Sequence, residues 1–171
     1  IDAFGVGTRL VTGQVSAALD GVYKLSEFNA SPKLKFSENF SKITLPGVKT
    51  VRRFRDAGDM FYADGIGLVD EKALSLIHHP TFTEARSAVK DYPAEELMRT
   101  VMERGMRAES ASVEESARYA RTRLKKLHAE HKRFENPHVY KVGISDKLLK
   151  LRTDLIDVFY ENHDAATTGD V

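Results

Sequence analysis

Gly5-Val6-Gly7-Thr8 is the stretch of this chain whose residue types and spacing best suit chemistry. Glycine places no Cβ between an anion and the main-chain amides, and it turns readily into positive φ. Successive N–H groups in such a bend converge on phosphate oxygens, and the Thr8 hydroxyl adds one more donor. A helix starting just beyond would contribute partial positive charge. The same residues also make an ordinary turn, so the loop alone does not choose between binding and bending.

Positive charge gathers behind this loop. Between Gly5 and Arg55 nine basic residues face three acids, a net of +6 in a chain whose total is +1, so the remainder carries −5. Lys24, Lys42 and Arg53 are the candidates for steering an anion toward the glycine turn. A solvated strand edge, where charge discourages pairing with other chains, accounts for the same residues equally well.

The six histidines offer less. His78 and His79 are adjacent, and neighbours on an extended chain point opposite ways. His128 and His131 are one helical turn apart but lack a third ligand at matching spacing. They are expected to line a half-buried helix face, and no metal site is expected.

The elements that must position these residues are those of one ordinary domain or of a piece of something larger. The chain has 171 residues, 42% hydrophobic and 30% charged, which suits a packed core under a solvated surface and argues against disorder. No apolar run approaches the roughly 18 residues needed to cross a bilayer, so no membrane partner is expected. Cysteine is absent, which removes disulfides, thiolate catalysis and thiolate metal ligands, and fits a reducing compartment such as the cytoplasm. Arg118, Arg121, Arg123, Lys125, Lys126, Lys132 and Arg133 crowd one segment as a nucleic-acid footprint would. Glu114, Glu115, Glu130 and Glu135 flank them and no aromatic platform is interleaved, so a solvated amphipathic helix is the better account.

The chain opens in what reads as a buried strand, Ile1 to Phe4, with nothing before it to pair with, as a C-terminal fragment would. Gly21 to Leu25 and Lys33 to Phe36 alternate like strands around a turn at Asn29 to Pro32. Leu45-Pro46-Gly47 signals a turn into a strand from Lys49 to Phe54, and Phe61 to Val69 reads as another. Beyond this the pattern predicts helices. Pro93 suits a first helical position, with Leu97, Met98, Val101 and Met102 as one face and Gly105 as the stop. Ser112-Val113-Glu114-Glu115 is a capping box opening a helix to about Phe134. Val139 to Val142 is a candidate short strand, and Ser145 caps a last helix with Leu148, Leu151, Leu155 and Phe159 on its face.

Several of these stretches together resemble the nicotinate phosphoribosyltransferases. Ile1 to Thr12 is similar to the late-barrel loop of that family. Gly21-Val22-Tyr23-Lys24-Leu25, Lys35 to Asn39, Ser41 to Lys49 and Arg53 follow in the family's order. Met102-Glu103-Arg104-Gly105, Asn136 to Val142 and the Ser145 helix extend the likeness to about Phe159. The resemblance implies an enzyme of NAD salvage that joins nicotinate to 5-phosphoribosyl 1-diphosphate with coupled ATP hydrolysis. ATP and Mg then enter as co-substrate and ion, with no tightly bound cofactor. It implies that Gly5, Gly7 and Thr8 hold the phosphoribosyl phosphate, as barrel enzymes hold phosphate after their last strands. The histidine phosphorylated by ATP and the nicotinate-clamping arginine belong upstream of this loop. No catalytic residue is therefore expected here, and the chain alone should be inactive.

The implied fold is mixed α/β. Residues 1–20 would end an irregular parallel α/β barrel with the phosphate loop, and 21–70 would supply β-strands of a second domain. Residues 71–160 would form a mostly helical region and 161–171 a loose tail. A homodimer in the cytoplasm is the implied state, with no nucleic acid or membrane partner. The alternatives are a related nicotinamide or quinolinate phosphoribosyltransferase, or a non-catalytic nucleic-acid-binding or structural module.

Overall fold

In the computed structural model the described residues are 5–7, 23–35, 37, 43–108 and 111–167, with side chains described as far as 161. The chain folds as a mixed α/β structure: a six-stranded mixed sheet, two small hairpins and two helices among these residues.

The first hairpin pairs β1 (Glu27–Phe28) with β2 (Ser31–Pro32). Asn29 and Ala30 both adopt positive φ, 49° and 57°, the backbone of the two-residue turns that match strand twist. The turn is where the sequence placed it. The longer flanking strands are not: Tyr23 to Leu25 and Lys33 to Lys35 carry no regular strand, and Gly21, Val22 and Phe36 lie outside the described residues. Ser26 ties this hairpin to the turn that leads into the main sheet, its carbonyl accepting from the amides of Lys33 and Gly47.

Gly47, at φ 77°, then turns the chain into β3 (Lys49–Arg55). β3 pairs antiparallel with β4 (Phe61–Leu68) across an Asp-rich turn, in which the Asp56 carboxylate accepts from the amides of Gly58 and Met60. β5 (Leu76–His78), β6 (Arg86–Ala88), β7 (Ala94–Glu96) and β10 (Val142–Ser145) complete the sheet. The spatial order is β6-β5-β10-β4-β3-β7. β10 runs parallel to β4 and antiparallel to β5, and every other pair is antiparallel.

The main buried cluster joins Phe54, Ala63, Leu74, Ile77 and Val89, and Phe61, Ile144 and Leu148 are buried outside it. Two glycines paired across β10 and β4, Gly143 opposite Gly65, let the covering side chains come close. A Cβ on Gly65 would sit 2.8 Å from Leu74 Cδ1, and one on Gly143 would sit 2.9 Å from the His78 carbonyl oxygen.

Three expectations are corrected between Glu71 and Phe134. The mostly helical reading of 71–160 holds only from Val113, because residues 76–107 form strands and turns. The segment from Pro93 is not a helix. Its residues 94–96 are the edge strand β7, pinned to β3 by Arg55 N–H to the Pro93 carbonyl and Leu97 N–H to the Val51 carbonyl, both 2.9 Å. Met102–Glu103 and Met106–Arg107 then form a hairpin, β8 and β9, turning through Arg104 and Gly105 at φ 49° and 78°. The next helix, α1 (Val113–Lys125), starts on the expected capping box: Ser112 Oγ accepts from the Glu115 amide and Glu115 Oε2 from the Ser112 amide. It ends nine residues short of Phe134. The Lys126 carbonyl is taken instead by the Phe61 amide at 2.8 Å, docking the helix end onto β4.

The last helix, α2 (Asp146–Thr167), begins where Ser145 predicted. Ser145 Oγ accepts from the Leu148 amide at 3.1 Å and donates to Glu71 Oε2 at 2.7 Å. Leu148 is fully buried, and its neighbour on the inner side is a buried Arg152, whose Nη1 donates to the Pro80 carbonyl. Residues 161–167, expected in a loose tail, continue this helix. Among the described residues no helix is long and apolar enough to cross a membrane.

Candidate functional site

Gly5 and Gly7 are exposed, with no atom of the described residues within 4 Å of where a Cβ would stand. Thr8 and Lys42 lie outside the described residues, and Lys24 is half-buried just before β1. Arg53 lies on β3, within the sheet.

Arg53 is the best-defined of these groups, and its setting is dictated by strand register. On the β3–β4 ladder it stands directly opposite Asp64, a pairing of opposite charges that stabilises antiparallel strands. The two meet in a fork, Nε to Oδ1 at 2.8 Å and Nη2 to Oδ2 at 2.6 Å. The Tyr140 hydroxyl donates to Asp64 Oδ1 at 2.9 Å. The Arg53 guanidinium also lies 4.4 Å from the Phe61 ring centre, and Arg123 of α1 lies 4.7 Å from it. Arg123 in turn donates from Nη1 to Glu95 of β7 at 2.8 Å.

These contacts favour the protonated forms of Arg53 and Tyr140. The hydrogen bonds to Asp64 raise the Arg53 pKa above the ordinary guanidinium value. Burial, reinforced by the Asp64 carboxylate, pushes the Tyr140 hydroxyl up as well, so it stays a donor. Chemically the cluster is a closed ion-pair network that fastens α1 and the segment before β10 to the sheet. Arg53 already spends its charge on Asp64.

The histidines separate into individual pairs. His78, buried at the end of β5, contacts the Thr83 carbonyl through Nδ1 at 2.9 Å and Asp146 Oδ1 through Nε2 at 2.6 Å. His128 and His131 sit on a short 3-10 turn (Ala129–Lys132) and its cap, not on the continuous helix expected for them. His128 Nε2 meets Asp56 Oδ2 at 2.7 Å, and His131 Nδ1 meets the His138 carbonyl at 2.7 Å. Among the described residues no group of three or more His, Cys, Asp or Glu is placed to hold a metal. The partners Asp56 and Asp146 are some 70 positions away in sequence, so no local spacing announced either pair.

The same segments place this chain among known proteins. From the turn before β3 to the second turn of α2, residues 48–152, it matches the family described as the nicotinate phosphoribosyltransferase C-terminal domain. The chain belongs to the nicotinate phosphoribosyltransferase family. A nicotinate phosphoribosyltransferase of Dictyostelium discoideum is 36% identical over 164 residues, covering 86% of this chain and 27% of that protein. One from Mus musculus is 32% identical over 156 residues, covering 88% of this chain and 29% of the other. A crystal structure of human nicotinic acid phosphoribosyltransferase superposes with a TM-score of 0.68 at 27% identity, over 81% of this chain and 27% of the human one. The chain thus spans somewhat over a quarter of the length of the relatives it matches, and the shared fold is the mixed sheet with its two helices.

Proposed function

We propose that this chain is the C-terminal part of an enzyme that forms nicotinate mononucleotide from nicotinate and 5-phosphoribosyl 1-diphosphate with ATP hydrolysis, in the salvage route to NAD. The observation that carries the proposal is the family match across residues 48–152, with the likeness to the nicotinate phosphoribosyltransferases running over more than four-fifths of the chain. Residues 1–20 end an α/β barrel in this reading, and the six-stranded sheet belongs to a second domain packed against it. The enzyme is a cytoplasmic homodimer, and its ATP-phosphorylated histidine and nicotinate-binding arginine lie upstream. Mg arrives with ATP, as part of the substrate.

The Gly5-Val6-Gly7-Thr8 loop anchors the 5-phosphate, remote from the reacting sugar carbon. Binding energy from that anchor orients the sugar for attack by the pyridine nitrogen. Lys24 and Lys42 steer the donor, with Arg53 a weaker candidate because Asp64 holds it. As the diphosphate departs, positive charge develops on the sugar and negative charge on the leaving group, so fixed cations near the latter lower the barrier.

The test is turnover by the whole polypeptide that carries this chain, with nicotinate, nicotinamide and quinolinate as competing acceptors. Nicotinate mononucleotide should form, ATP-dependently, in preference to the other two products. Replacing Thr8 with leucine should raise KM for the phosphoribosyl donor and leave KM for nicotinate nearly unchanged. Preference for nicotinamide or quinolinate would reassign the enzyme, and an unchanged donor KM would remove Thr8 from the site.

A further inference from the structure

Three of the chain's four methionines, Met98, Met102 and Met106, lie on the β8–β9 hairpin or in the segment leading into it. They are 59%, 62% and 74% exposed. The fourth, Met60, is half-buried in the turn between β3 and β4, where its amide and its carbonyl are both bonded to Asp56.

Methionine ordinarily fills irregular gaps in a core. None of these three does so, since the buried cluster lies elsewhere and Val101, beside them, is exposed as well. Main-chain pairing shapes the hairpin instead. Met102 stands opposite Arg107 and Glu103 opposite Met106, and the Ala108 amide donates to the Val101 carbonyl at 3.0 Å. A change confined to the three thioethers therefore removes no buried packing and no hydrogen bond of the hairpin.

An accessible thioether is open to one reaction above others. A sulfur lone pair attacks one oxygen of hydrogen peroxide, the S–O bond forms as the O–O bond breaks, and hydroxide leaves. That hydroxide takes the proton from the new S–OH group, giving a sulfoxide and water. Sulfur loses an electron pair and the peroxide gains it, so no further reactant is required.

We propose that Met98, Met102 and Met106 form a peroxide-reactive surface, oxidised to sulfoxide ahead of Met60 and without loss of the fold. The new oxygen is a hydrogen-bond acceptor, and at Met102 the residue across the ladder, Arg107, is a donor. Sulfoxide reductases of the two stereospecificities restore the thioether, so the modification is reversible. The site does not depend on the reaction assigned to the whole enzyme.

The experiment is a time course of the whole polypeptide in dilute hydrogen peroxide, with oxygen uptake at each of the four methionines read by peptide mass mapping. Met98, Met102 and Met106 should each react about fivefold faster than Met60 or more, as exposure dictates. The thermal melting midpoint should hold while these three are oxidised, and reductase treatment should return their original masses. A triple variant, Met98→Leu with Met102→Leu and Met106→Leu, should lose the fast uptake in this segment and keep the parent's melting midpoint. Reaction at Met60 as fast as at the three, protection of the three in the whole polypeptide, or a melting midpoint that falls in step with their oxidation would overturn the proposal. Fast oxidation in a polypeptide that makes no nicotinate mononucleotide would leave this site standing and remove the enzymatic reading alone.

Discussion

The carboxylate of Asp64 grips the Arg53 guanidinium through both oxygens while the Tyr140 hydroxyl donates to one of them. Three segments, β3, β4 and the approach to β10, are thereby joined at a single acid. Arg53 and Asp64 side chains are 22% and 12% exposed, so neither charge has bulk water to fall back on. Removing one partner strands the other.

Asp64→Ala should therefore destabilise the fold by about 3 kcal/mol, the lower end of the range for one broken buried pair. A double variant, Asp64→Leu with Arg53→Met, should recover much of that loss because no charge is left unpaired. Urea denaturation measures both. A single variant within about 1 kcal/mol of the parent would show that the pair is solvated in practice.

The His78 link carries a pH dependence of definite sign. The bond to the Thr83 carbonyl raises its pKa above the ordinary 6.5, the Asp146 carboxylate adds to this, and burial and Arg86 oppose it. A raised native pKa means protonation favours folding, so the contribution is complete below 6.5 and fades as pH climbs through the raised value. Melting curves of the parent and His78→Gln should thus converge from mildly acidic to alkaline pH. A gap that widens with pH would reverse the assignment of His78 as a charged donor to Asp146.

Ser112 holds the start of α1, a helix with no buried residue to anchor it among those described. Ser112→Ala should cost about 1 kcal/mol of local helix stability, and Ser112→Gly only a few tenths. Amide exchange at Glu115 and Ser116 reads this directly, because the Glu115 amide loses its acceptor. Equal protection in parent and alanine variant would mean that contacts elsewhere hold the first turn.

The paired glycines differ in what crowds them. At Gly65 the obstacles are side chains of Leu74, Ile77 and Phe54, whereas at Gly143 one of them is the His78 carbonyl. Gly65→Ala should cost about 1–3 kcal/mol, as overpacking usually does, and Gly143→Ala should cost more because main chain must move. Thermal melts of the two variants rank them, and an equal or smaller loss at Gly143 would contradict the geometry.

How much of the fold was legible in the sequence depended on how local each cause is. Asn29-Ala30, Leu45-Pro46-Gly47 and Ser112–Glu115 act within four residues, and each turn or cap stands where the sequence put it. The Pro93 segment misled because Leu97, Met98, Val101 and Met102 do recur at helical spacing. Gly105 takes a positive φ as a helix stop would, but here Arg104 shares it and the pair closes a hairpin. What decides the issue is β3, some forty residues earlier, whose open edge captures Ala94–Glu96. Tertiary pairing outweighed periodicity. At the site, the loop glycines and the basic block were visible in sequence, whereas the partner that occupies Arg53 was not. Asp64 lies opposite it only because the β3–β4 register says so.

β10 is the latest of the described strands to be made and yet sits between β4 and β5, in the interior of the sheet. On the ribosome, strands three to seven emerge with that central slot unfilled, and only when Val142–Ser145 clears the exit tunnel can the two halves zip together. A chain lacking Val142–Ser145 would leave β4 and β5 without the strand that hydrogen-bonds to both, their facing edges open to pair with other chains.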